Sequence, residues 1–251
     1  MKIDFQGQTV LITGATRGLG KQFADDFAAL DANLILTGTS EQKITVQDPH
    51  VEGSLRSKIS YYAVDFTNER STEKFLESLT LSHQKIDVCI NNAGINRINL
   101  LDETLTKDWR EIMMVNLEAP FMITRVVSKI MKENHYGRIV NIASIFGVIS
   151  KARRSVYSTT KFGLRGLTTA AAIELAPYNV LVNTVSPGFI LTELTRNILS
   201  EEERNELATQ IPIGRFGETK EISRVVLFLA SSLNTYITGQ DIVVDGGFVI
   251  V

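Results

Sequence analysis

The stretch TGATRGLG, Thr13 to Gly20, follows the apolar run QTVLIT (8–13) and precedes an amphipathic helical pattern over 18–30. A strand that turns into a helix through glycines commits a chain to a narrow set of architectures. The helix must fold back on the sheet, and the glycines must let backbone approach backbone. The rest of the chain repeats the theme. Strand-like runs ANLILTG (32–38), ISYYAVD (59–65), IDVCINNAG (86–94), GRIVNIAS (137–144), VLVNTVSPG (180–188) and QDIVVDGG (240–247) alternate with helical patterns near 107–133, 156–176 and 218–232. Runs that are apolar on both faces and joined by helices predict a parallel sheet covered on both sides. Two stretches read as irregular: 41–58, broken by Pro49 and Gly53, and about 190–215, past a strand C-terminus, where open sheets bind ligands.

Glycines between a strand and a helix usually cradle phosphate. A triphosphate loop needs G-x-x-x-x-G-K-[ST]. Counting from Gly20 and Lys21, Ala15 stands where the first glycine belongs and Gln22 where a magnesium-binding hydroxyl belongs. Gly14, Gly18 and Gly20 suit a dinucleotide better, with the helix N-terminus facing a pyrophosphate. The second strand ends in Thr37, Gly38, Thr39 and Ser40, with no acid at its tip to bond a ribose 2′-hydroxyl. Arg17, Thr39 and Ser40 suit a 2′-phosphate, which favours NADP(H) over NAD(H); Glu41, just beyond, points the other way.

Tyr157 and Lys161 are four residues apart on a helical pattern, hence on one face. A phenol with a pKa near 10 is a poor proton donor-acceptor at neutral pH, and an adjacent ammonium is expected to bring it down. Ser144 ends the fifth strand, where its hydroxyl can donate to a carbonyl oxygen. Asn116, within the apolar stretch IMMVNLEAPF, needs partners: structural bonds or a polar relay.

Together with Asp65 in VDFTN, NNAG (91–94), NIAS (141–144), YSTTK (157–161), SPGFILTELT (186–195) and TGQDIVVDGG (238–247), these residues resemble the short-chain dehydrogenase/reductase family in order and spacing over essentially the whole chain. The resemblance implies one Rossmann-type doubly wound α/β domain over 1–251, with a seven-stranded parallel sheet and helices on both faces. It implies Tyr157 as general acid, Lys161 lowering its pKa and bonding the nicotinamide ribose, and Ser144 polarising the carbonyl. Asn116 would hold a relay water. The cofactor cleft would be lined by Gly14, Thr16, Arg17, Gly18, Leu19, Gly20, Thr39, Ser40, Asp65, Phe66, Asn92, Ala93, Gly94, Pro187, Gly188, Ile190 and Thr192. A homotetramer or dimer is implied, the small-residue helix 156–176 packing on its copy. No metal is implied, and His50, His83 and His135 lack ligand spacing.

Within the family the chain is most similar to 3-oxoacyl-(acyl carrier protein) reductases, in GTSEQ, IPIGRFGETKEIS (211–223) and DGGFVIV. Two features depart from that pattern. Tyr178 stands where a basic residue often meets the carrier protein, which weakens the case for a carrier-bound substrate. Lys151, Arg153 and Arg154 crowd the loop between Ser144 and Tyr157, which suits an anionic substrate such as a carboxylate, a phosphate or a nucleotide-linked sugar. A sugar, polyol or surface-glycan oxidoreductase is therefore the alternative, and a non-catalytic NADP(H) sensor is the alternative of another class.

Composition excludes other classes. Of 251 residues, 44% are apolar and 22% charged, enough for a sizeable core. A formal charge of −2 gives no bias towards nucleic acid or anionic membrane. The single cysteine, Cys89, permits no internal disulfide and reads as a buried inert thiol. The start MKIDFQGQTV lacks a signal-peptide stretch, and no apolar run approaches the ~20 residues that span a bilayer. The expected setting is the cytoplasm.

Overall fold

The computed structural model describes residues 3–40, 58–193, 195 and 200–251. Seven strands form one sheet: β1 (Thr9–Ile12), β2 (Asn33–Gly38), β3 (Ile59–Ala63), β4 (Val88–Asn91), β5 (Gly137–Ile142), β6 (Val180–Pro187) and β7 (Asp241–Val244). All pair in parallel in the order β3-β2-β1-β4-β5-β6-β7. The order reverses between β1 and β4, which opens a crevice at the strand C-termini there.

The helices are α1 (Gly18–Ala28), α2 (Glu69–Ser82), α3 (Thr106–Met113), α4 (Ala119–Glu133), α5 (Ser155–Leu175), α6 (Glu201–Thr209) and α7 (Thr219–Ala230). Three inner strands are buried throughout, as their two-faced apolar sequences require: every residue of β4, β5 and β6 is buried. One face packs Val10, Ile12, Ile90 and Val140 against Phe23 and Phe27 of α1 and Val226 of α7. The other packs Leu11, Cys89 and Ile139 against Phe75 and Leu79 of α2, Ile123 and Val127 of α4, and Ala172 of α5. Burial pushes the Cys89 thiol well above its usual range, so it is inert packing.

Three departures from the sequence reading have physical reasons. The irregular stretch expected at 190–215 contains α6. Its entry is a capping box in which Glu203 N–H donates to Ser200 Oγ at 3.2 Å and Ser200 N–H donates to Glu203 Oε2 at 2.8 Å. None of its residues is buried, so no apolar stripe announced it. α2 buries only Thr72, Phe75, Leu76 and Leu79 in fourteen residues, too thin a stripe to be read as a helix. The helix expected at 107–133 exists, but a π turn over Met114–Glu118 separates α3 from α4. The reading of 41–58 falls, except for Lys58, outside the described residues. No described helix is long and apolar enough to cross a membrane.

Candidate active site

The glycine loop lies at the C-terminal edge of β1. Gly14 holds φ of +65°, and a Cβ there would come within 2.9 Å of Ala93 Cα. A Cβ on Gly20 would overlap the Gly14 carbonyl and approach Asn92 Nδ2 to 2.5 Å. The loop and the exit of β4 are therefore in backbone contact. Thr13 Oγ1 fastens them, accepting from Asn92 N–H at 2.9 Å and Ala93 N–H at 3.0 Å. Asn92 Nδ2 returns bonds to the Thr13 and Gly14 carbonyls at 2.9 and 3.1 Å. The sequence reading missed Thr13, though a hydroxyl at the last strand position before the glycines was its signal.

Arg17 caps α1 in an extended conformation, and both it and Thr16 are exposed. Leu19 turns inward onto the core. The loop rests on the end of β2: Gly14 N–H donates to Thr37 Oγ1 at 3.2 Å and Ala15 N–H to the Thr37 carbonyl at 2.8 Å. Arg17, Thr39 and Ser40 thus lie exposed at one sheet edge, as expected. Tyr61 Oη donates to the Ser40 carbonyl at 2.5 Å and fixes that tip. Asp65 is exposed, its Oδ1 held by Thr67 N–H and Oγ1 at 2.9 and 2.7 Å. Phe66 departs from expectation: its side chain is buried edge-on to Phe75, with centroids 6.2 Å apart. Only its backbone is left to face a cleft. Pro187 ends β6, Gly188 N–H bonds the Val244 carbonyl at 3.0 Å, and Ile190 bridges to Gly217. Thr192 reaches back over the loop, its Cγ2 3.9 Å from where a Gly18 Cβ would stand.

The second half of the site stands on β5 and α5. Ser144 follows β5 and caps the turn Ile145–Gly147 by accepting from Phe146 N–H at 3.2 Å. The Ser144 hydroxyl also acts on the Tyr157 phenol, and Phe146 meets the Tyr157 ring edge-on at 6.5 Å. Lys161 is buried, and its Nζ donates to the Ile142 carbonyl at 2.8 Å while lying 5.5 Å from the Tyr157 ring centroid. Gly94 brings the halves together: a Cβ there would stand 3.8 Å from Lys161 Nζ and 3.5 Å from Asn116 Oδ1.

Asn116 sits at the centre of the π turn. Its side chain is fully committed: Oδ1 accepts from Ile95 N–H at 2.8 Å, and Nδ2 donates to the Ile95 carbonyl at 2.9 Å and to Thr160 Oγ1 at 3.3 Å. Pro120, four residues on, has no N–H to give the Asn116 carbonyl, which lacks its ordinary helical partner. That is a sequence-readable cause of the wide turn, and such turns recur at functional sites.

Burial pushes the Tyr157 phenol above the usual tyrosine range; the Ser144 hydroxyl and then the Arg154 guanidinium pull it back. Lys161 is drawn down to about 8 by burial. Among the described residues no group of His, Cys, Asp or Glu is arranged to hold a metal ion.

A dinucleotide fits these residues. The contacts at Gly14 and Gly20 leave no room for side chains, the α1 N-terminus opens beside them, and Arg17, Thr39 and Ser40 lie exposed at the same sheet edge.

The chain matches the family model described as enoyl-(acyl carrier protein) reductase over residues 14–249. It is 41% identical over 247 residues to a 3-oxoacyl-(acyl carrier protein) reductase of Aquifex aeolicus, covering 98% of this chain and 99% of that protein. It is 35% identical over 249 residues to the protein of that name from Escherichia coli, covering 99% and 100%. Among solved structures it resembles a gluconate 5-dehydrogenase from Burkholderia cenocepacia in complex with NADP and tartrate, at TM-score 0.88 and 28% identity, covering 99% and 98%.

Proposed function

Because this chain belongs to the short-chain dehydrogenase/reductase family, we propose that it is an NADPH-dependent ketoreductase that converts a ketone to a secondary alcohol, or the reverse. The observation that carries this reading is Ser144 and Tyr157 gathered around Phe146, with buried Lys161 5.5 Å from the Tyr157 ring and Gly94 joining them to the glycine-loop half of the site. When bound, the cofactor supplies a hydride to the carbonyl carbon and leaves oxidised.

The chain's residues do the rest. Ser144 donates to the carbonyl oxygen and polarises it. Tyr157 gives its proton to that oxygen as the C–H bond forms and the C=O π bond breaks. Lys161 holds the ribose and returns a proton towards the phenolate. Asn116 serves the relay through its main-chain carbonyl and fixes the Ile95 backbone with its side chain. Arg17, Thr39 and Ser40 hold the 2′-phosphate, Asp65 the adenine, and Asn92 to Gly94, Pro187, Gly188, Ile190 and Thr192 line the cleft.

The relatives' names support a 3-oxoacyl thioester as the ketone. A second reading, an acidic sugar or polyol, is favoured by the tartrate-bound gluconate dehydrogenase and by the cations at 151, 153 and 154. The chain also pairs with itself in this proposal: Phe121 of α4 and Phe162 and Ile173 of α5 are exposed, and Gly166 faces open space. Size-exclusion chromatography reads that state, and a monomer would overturn it.

NADPH consumption with acetoacetyl thioester, with NADH alongside, tests the reading. Rapid NADPH-specific turnover supports it. Tight NADPH binding without turnover sinks the thioester, and a preference for NADH overturns the role given to Arg17.

A further inference from the structure

The loop between Ser144 and Tyr157 carries Lys151, Arg153 and Arg154, and among the described residues no carboxylate pairs with any of them. Arg154 is the most constrained. It precedes α5 directly, three residues before Tyr157, and its charge acts on the Tyr157 hydroxyl. Its guanidinium carbon lies 5.3 Å from the Phe146 ring centroid, and Lys151 Nζ lies 5.9 Å from the same ring. Its Nε is shut off from solvent and has no hydrogen-bond partner. The preceding residue, Arg153, holds φ of +68°, a conformation that costs a non-glycine residue energy.

An aromatic face offsets a cation only in part. A guanidinium whose Nε is shut off from water, with neither carboxylate nor carbonyl to receive that proton, is left in deficit. A ligand carboxylate removes that deficit, since it accepts two parallel bonds from the guanidinium fork. Arg154 enters α5 three residues before the phenol that delivers the proton and packs on the same Phe146 ring, so the anion it receives belongs to the molecule being reduced.

We propose that Arg154 is the substrate-recognition residue for a carboxylate carried by the ketone, so that the substrate class is an oxo acid. This rests on the ketoreductase reading and selects among its substrates. Phe146 acts as the platform that positions the guanidinium, and Lys151 adds to the field that attracts the anion.

The test compares acetoacetate with methyl acetoacetate, a neutral ketone of nearly the same shape, in the wild type, Arg154→Gln and Arg154→Lys. The expected result is a preference for the free acid in kcat/KM that falls at least tenfold in R154Q and returns in part in R154K. An unchanged ratio, or equal losses on both ketones, overturns the proposal, because a group that only tunes Tyr157 slows both alike. Titrating acetoacetate into NADP+-loaded protein reads the same subsite without turnover. Binding at least tenfold weaker in R154Q supports the proposal; equal binding, or none in the wild type, overturns it. Selective binding with no NADPH oxidation on any ketone would sink the ketoreductase reading alone.

Discussion

Arg138 is withdrawn from water and Arg154 is partly so, at opposite ends of the fifth strand. Arg138, near its start, is 3% exposed. Its terminal nitrogens donate to the Gly137, Asn179 and Asn234 carbonyls at 2.8, 3.0 and 3.0 Å, and its guanidinium lies 4.6 Å from the Tyr136 ring centroid. Arg154, beyond the strand's C-terminal edge, has the aromatic face but none of the carbonyls. Burial draws both below the usual guanidinium range. The same residue type is thus a tie between three backbone segments at one end and rests on an aromatic ring at the other. The polar core between them follows the closed pattern. Asn91 Nδ2 donates to Asn141 Oδ1 at 2.8 Å, Asn141 Nδ2 to Thr168 Oγ1 at 2.8 Å, and Thr184 Oγ1 to Thr168 Oγ1 at 2.8 Å. Arg138 Nε, like Arg154 Nε, has no hydrogen-bond partner, so the two guanidiniums differ in their terminal nitrogens, which the protein's carbonyls receive only at Arg138.

Tyr157→Phe strikes the open end hardest. Turnover should fall about 10³-fold, or about 4 kcal/mol in the barrier, while NADPH affinity stays within about twofold. Stopped-flow NADPH oxidation and fluorescence titration read the two effects separately. A protein that only sensed the cofactor would keep its function in this variant. Arg138→Met strikes the closed end: three carbonyls lose their donors, and urea unfolding should register a loss of about 3 kcal/mol. Arg154→Met should cost under about 1 kcal/mol in the same assay, and a loss equal to that of Arg138→Met would break the comparison.

Thr168→Val tests the core between the ends. It strands Asn141 and Thr184 and should cost about 2 kcal/mol of stability. Lys161 gives the smallest and most diagnostic effect. Its folded pKa, about 8, lies below that of an unfolded lysine, so the unfolded chain binds more protons between about pH 8 and 10. Its contribution is unfavourable and constant below pH 8, and is relieved as pH rises through that window. Unfolding free energy of the cofactor-free protein should therefore rise there by at most about 1.4 kcal/mol per pH unit, and Lys161→Met should remove that slope.

What the sequence disclosed followed from local physics. Strands apolar on both faces can only sit inside a covered sheet, and glycines at 14 and 20 mark a contact too close for side chains. The spacing of Tyr157 and Lys161 placed them together. What stayed hidden needed either a buried stripe or a third dimension. α6 has no buried residue, so only its Ser200–Glu203 box betrayed it. Phe66 looked like a cleft residue until Phe75 was found against it. The cations at 151, 153 and 154 were visible, but the ring of Phe146 that gathers two of them was not. That the Arg154 charge also acts on Tyr157, three residues on, was not legible from the spacing of Tyr157 and Lys161.

The π turn at Met114–Glu118 is in effect one amino acid more than a regular helix needs between α3 and α4. A chain shortened by one residue there would still carry Pro120, with one carbonyl short of its helical partner, but could keep the buried face of α4 against the sheet. It would lose the place where Asn116 reaches Ile95. The fold could survive that deletion, and the site could not. Length at this point is therefore a functional quantity, and a single missing codon would separate a foldable protein from a competent one.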